Sequence, residues 1–260
     1  MTDPKRQDPD QKATQKFKGG YRDWTSIPGG FDALNTKHIY PSSNAWGIPT
    51  IPHAPLSAIP QWLSPYRTRL ESDQDPSTGA VHFFLNDYQF ESVWRRPVQT
   101  LMGLKNTWSV ALGPDFSLFY DCPLVMQLWN TYRSRWVARW WVENGLTVIP
   151  TVAWASPDSW EFCFLGLPSR SVLSVSVVGT KKDPIGELAF LLGFEEMLKR
   201  LKPSAVLCYG KPYDKMKDLV DVYSYPTLWN SVRADKRKYG QKDENSKAPD
   251  LPDYEIEIDV

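Results

Sequence analysis

Two aspartates, Asp87 in VHFFLNDYQF and Asp115 in WSVALGPDFS, each follow a short apolar run that reads as a β-strand. A carboxylate at the end of a buried strand stands where a parallel sheet presents its ligand-binding edge. Two carboxylates brought close together share a proton or hold a divalent cation, and either arrangement suits acid–base or hydrolytic chemistry. Lys211, in VLCYGK, follows another such run and would neutralise one of them. Asp87, Asp115 and Lys211 are therefore the candidate catalytic residues. Tyr88, Trp154, Thr180 and Tyr209 sit at the same kind of strand end and are candidates for substrate contact, the aromatics by stacking on a base or sugar.

Each of these positions also has a plainer explanation. An Asp ahead of a helix commonly caps it, so Asp87 would cap QFESVW and Asp121 the long helix after Pro123. Capping is the favoured role of Asp121. Asp115 lies too far ahead of that helix to cap it, although its Gly-Pro turn allows it to bond its own backbone.

The elements that would position these groups alternate in type. Strands are expected at 81–86, 108–112, 146–154, 171–179, 204–209 and 221–225. Helices are expected at 89–104 with a break at Pro97, at 123–145, at 156–166 with Ser156 as cap, and at 183–203. Repeated βαβ units of this kind predict an α/β fold with a mostly parallel sheet, either open and doubly wound or an incomplete TIM-like barrel. No strand is followed by GxGxxG and no GxxxxGK[ST] occurs, which argues against a nucleotide held by a glycine-rich phosphate loop.

Residues 1–22 are polar and predict a disordered tail, and 229–260 a charged, mobile one in which YEIEIDV could add an edge strand. Between them, 23–228 forms one domain. Its first part, 23–66, is rich in Pro and aromatics and reads as an irregular arm wrapped on the core in preference to a lid.

In the long helix, positions 125, 128, 129, 132, 136, 137, 140 and 141 make a broad apolar stripe expected to be buried. Arg133, Arg135 and Arg139 fall mainly off it and are candidates for phosphate contact, as is the basic stretch RADKRK at 233–238. Globally the charges cancel, with 30 basic and 30 acidic residues, so no net field attracts nucleic acid or membranes.

The three cysteines and three histidines are scattered without CxxC, HxH or HExxH spacing, which reads as reduced thiols and no zinc site. A polar N-terminus and the lack of any long apolar run predict a cytoplasmic protein without a membrane partner.

The ordered series VHFFLNDYQFESVW, GPDFSLFYDCPLVMQLWNTYRSRW, GLTVIPTVAW, SVSVVGT and VLCYGK resembles the domain-of-unknown-function family 4417 over roughly residues 45–225. The resemblance implies a bacteriophage or mobile-element origin and brings no established activity. Three functions are compatible with the residues: an enzyme acting on a nucleotide, nucleoside or nucleic acid, a non-catalytic nucleic-acid-binding or replication-associated protein, and a protein that engages a host factor through its Trp-rich arm.

Overall fold

The computed structural model describes Asn35 and residues 38–182 and 184–227. Backbone proximity groups residues 1–225 into one unit and 226–260 into another. Only Pro226 and Thr227 of the second are described, and every described strand and helix belongs to the first. The expected tails at 1–22 and 229–260, the basic stretch at 233–238 and the first part of the arm lie outside the described residues.

Among the described residues, seven short strands, all parallel to their neighbours, form the centre. In chain order they are β1 (Trp62–Pro65), β2 (Gly79–His82), β3 (Val110–Leu112), β4 (Thr147–Ile149), β5 (Val172–Ser176), β6 (Ala205–Tyr209) and β7 (Val222–Tyr225). The first four pair in the order β1-β2-β3-β4 and the last three in the order β5-β6-β7. Thr151 bridges Ser174, with Val152 N–H donating to Ser174 O at 2.8 Å and Ser174 N–H to Pro150 O at 2.9 Å, so the two sheets are joined through the end of β4.

Neither sheet shows the reversal of strand order that marks a doubly wound fold. Among the described residues no ladder joins β7 to β1. Those edges meet through the Tyr225 hydroxyl, which donates to Pro60 O at 2.6 Å. The α/β class and the parallel sheet are as expected.

Side chains alternate along each strand, as the pleat requires. On β6, Val206 and Cys208 enter the larger cluster, which holds the buried helix residues, whereas Ala205 and Leu207 join a smaller one with Leu112, Ile149, Val172 and Tyr225. The helices are α1 (Ser92–Arg95), α2 (Pro97–Lys105), α3 (Leu124–Glu143), α4 (Pro184–Leu201) and α5 (Asp214–Lys217). The expected helix over 89–104 is thus cut at Pro97, which opens α2. The expected 156–166 helix is a 3-10 turn, Pro157–Glu161, whose Ser156 makes no capping bond.

Three further expectations are corrected. The arm is not irregular throughout, because WLSP at its end is β1, aligned along β2 from Trp62–Gly79 to Pro65–His82. Nor is the α3 stripe buried along its whole length. Trp136, Val137 and Trp141 are fully enclosed, but Val125 is 70% exposed and Trp129 40%. The arginines go inward instead: Arg133 and Arg135 are buried among the core residues.

Candidate active site at the strand ends

Asp115 lies three residues beyond β3, carried by the turn Gly113-Pro114. Gly113 is fixed there from both sides: its N–H donates to Ile149 O at 2.9 Å, and its carbonyl accepts from the Thr151 hydroxyl at 2.6 Å. The aspartate lines a cleft of 290 Å³ beyond the ends of β3, β4 and β5. Ser117, Phe119 and Tyr120 form one wall, the segment 152–155 with Trp154 another, and Ser176, Thr180 and the first turns of α4 the third. Small-molecule sites in α/β folds occupy this edge.

Asp115 is partly exposed to the cleft, and none of the described residues donates a hydrogen bond to its carboxyl. Burial first, and the charge of Asp87 after it, push that carboxyl up to about 7, with Arg135 opposing them in part. A group in this state holds its proton near neutrality and can give or take one.

Asp87 opens a 3-10 turn, Asp87–Gln89, and caps no helix. Its carboxylate instead accepts from the Ser117 amide at 3.1 and 3.2 Å and from the Ser117 hydroxyl at 2.7 Å. The second aspartate therefore acts on the first through charge, while it ties down the loop that carries it. Among the described residues, no three His, Cys, Asp or Glu side chains converge as a metal-ligand set.

Trp154 packs at a tilt against Phe190 and Phe164, with centroids 5.1 and 6.2 Å away. Its indole nitrogen lies directly over Gly193 of α4, where a Cβ would collide with the ring. Thr180 lines the cleft and shares a hydrogen bond of 2.9 Å with the Tyr213 hydroxyl.

The remaining candidates stand elsewhere. Tyr88 is 77% exposed and Lys211 is exposed, and neither lines the cleft. Lys211 is near enough to Asp214 to help lower that carboxylate's pKa. Tyr209 is buried, stacked on Phe84 at 5.1 Å and against His82 at 4.4 Å. His82 is enclosed, and burial drives its pKa down to about 3, so it is a neutral packing group.

Arg133 donates twice to Glu91, at 2.8 and 2.9 Å, and once to Asn130 at 2.6 Å. Arg135 spends its guanidinium on the carbonyls of Leu165, Thr151 and Cys163. Arg139 pairs with Glu143 and donates to Thr50 O. These cations fasten the structure together and are not free for phosphate.

Asp121 is exposed and makes no capping bond, because Pro123 occupies the N-cap position of α3. The Gln127 side chain secures that turn by donating to Phe119 O and Cys122 O. All three thiols are free, and burial raises Cys163 and Cys208 to about 12, so neither is a nucleophilic thiolate.

Sequence reasoning misses Ser117, Phe119, Tyr120 and Ser176. No local signal marks them, since they reach the cleft only through the turns after β3 and the end of β5. No helix among the described residues is long and apolar enough to cross a membrane.

No solved structure matches the chain. The Gene 1 protein of Mycobacterium phage L5 is 39% identical over 213 residues, which covers 81% of this chain and 91% of that protein. The Gene 1 protein of Mycobacterium phage D29 is 38% identical over 212 residues, covering 81% and 77%. These relatives support the bacteriophage setting that the sequence motifs imply. The model of the family described as Domain of unknown function (DUF4417) matches residues 40–226, a stretch that holds every described strand and helix, and the chain belongs to that family.

Proposed function

We propose that the protein is an enzyme that carries out general acid–base chemistry on a nucleoside or nucleotide bound in the strand-end cleft, with Asp115 moving the proton. The observation that carries this is the placement of Asp115: a carboxyl at the mouth of a parallel sheet, facing Trp154, with no hydrogen bond from the protein among the described residues. A structural aspartate in such a place would normally be paired.

The cleft's chemistry suits a ring bearing hydroxyls. Trp154, Phe119 and Tyr120 offer flat apolar surface, and Ser176 offers a hydroxyl. In glycosidic hydrolysis, Asp115 gives its proton to the leaving base nitrogen as the bond to the sugar breaks. Water adds to the anomeric carbon, and the proton it releases restores the acid. Transfer to a second acceptor hydroxyl follows the same course. Asp87 adds its repulsion to the burial that keeps the acid protonated, and holds Ser117, and therefore the cleft wall, in place.

The test is incubation of the full chain with a panel of nucleosides and nucleotides, with release of free base followed by chromatography. Asp115→Asn is expected to lower turnover by about 10²–10⁴-fold, the usual worth of a general acid. Turnover unchanged by Asp115→Asn, or no turnover and no saturable binding of any member, would contradict the proposal.

A further inference from the structure

Parallel neighbours are ordinarily joined by a crossover helix that packs on the sheet. The β1–β2 connection has none: residues 66–78 are loop and turn. Where that helix would lie, a groove of 710 Å³ opens between residues 65–70 and α2. It shares no residue with the strand-end cleft.

Three arginines, Arg67, Arg69 and Arg96, line this groove and are exposed. Among the described residues none of them meets a carboxylate, whereas Arg95, Arg133, Arg139 and Arg200 each pair with a glutamate. Four helix arginines are thus neutralised by glutamates, and this groove trio is not. Arg67 is moreover held at φ +64°, a backbone state that non-glycine residues seldom adopt. Its guanidinium donates to the Ser92 hydroxyl at 3.1 Å and lies 5.2 Å from the centre of the Tyr66 ring. Strained positions persist where the surroundings hold them, and they gather at binding sites.

The rest of the groove divides by chemistry. Gln99 offers a hydrogen-bonding group beside the arginines, while the largely buried Leu104 and Trp108 close an apolar end. Guanidinium forks match phosphate oxygens, and a flat apolar surface accepts a base. The volume is that of a site for a small organic ligand.

We infer that this groove binds the phosphate of a nucleotide, either free or within a single-stranded nucleic acid, with Arg67, Arg69 and Arg96 on the phosphate and the base directed toward the apolar end of the groove. The site is separate from the cleft of Asp115, so it stands whether or not that cleft is catalytic.

The test measures binding by the full chain of a fluorescent single-stranded oligonucleotide and, in a second arm, of a mononucleotide, at about 50 and about 200 mM salt. The comparison is between the unaltered protein, the triple variant Arg67→Gln, Arg69→Gln, Arg96→Gln, and a charge-matched control, Lys199→Gln, Lys202→Gln, Lys217→Gln. The triple variant is expected to weaken binding at least tenfold and to flatten the salt dependence, and the control to change it less than threefold. Tight binding in the oligonucleotide arm alone assigns the groove to a strand, and binding in both arms assigns it to a nucleotide. No saturable binding in either arm, equal loss in both variants, or equal competition by polyglutamate would overturn the inference. Circular dichroism of the triple variant confirms that it is folded.

Discussion

Asp87 accepts hydrogen bonds from both the amide and the hydroxyl of Ser117, two residues beyond Asp115. One carboxylate thus anchors the loop that presents the other, and its charge adds to the burial that keeps Asp115 protonated. The β2 and β3 ends are coupled by chemistry as well as by strand pairing.

Removing the charge while keeping an acceptor separates these two roles. Asp87→Asn can still accept from the Ser117 hydroxyl but no longer repels Asp115. The pH limb that depends on protonated Asp115 is expected to move to lower pH by about half a unit to one unit, each unit corresponding to about 1.4 kcal/mol of differential interaction. The pH dependence of turnover, or of nucleoside binding, reads this shift.

The raised carboxyl also costs stability. Asp115 goes from an ordinary value of 3.8 to about 7 in the fold, so the unfolded chain releases its proton first as pH rises. Its contribution is fully present below pH 3.8, declines through the window up to about 7, and is gone above it. Asp115→Asn should therefore be more stable than the unaltered protein at pH 8, by about 1–3 kcal/mol, and no more stable at pH 4. Urea denaturation at the two pH values checks it.

Arg135 binds three backbone carbonyls from inside the core. Arg135→Met leaves them unpaired and should destabilise the protein by about 3 kcal/mol. Arg135→Lys is expected to recover little of this, since an ammonium cannot span three carbonyls fixed around a planar fork. Chemical denaturation of both variants distinguishes a fastening role from a merely electrostatic one.

Gly193 lets the Trp154 indole lie against α4. Gly193→Ala would drive the ring out of its place, at a cost of about 1–3 kcal/mol, even though alanine favours helix. The same substitution should weaken nucleoside binding if Trp154 stacks on the base. Thermal melting and a binding titration read the two effects separately.

Much of this is legible in the chain. The strand–helix alternation and the apolar runs ending in Asp115, Trp154 and Thr180 place three cleft residues on neighbouring strand ends without any tertiary knowledge. What escapes depends on distant partners. Arg135 looks solvent-facing until the carbonyls of Cys163 and Leu165 are brought to it by the turn after β4. Trp62-Leu-Ser-Pro reads as loop because its pairing partner, rather than its own composition, makes it a strand. Asp121 has the residue type of a cap, but Pro123 takes the cap position itself. The groove of Arg67, Arg69 and Arg96 arises from a missing helix, which no motif announces.

Carbon-13 NMR titration of the Asp115 carboxyl reads out whether this group exchanges its proton near neutrality and is open to a nucleoside. A midpoint near 7 that moves when saturating nucleoside is added is the predicted result. A midpoint near 3.8, indifferent to every nucleoside offered, would contradict the account.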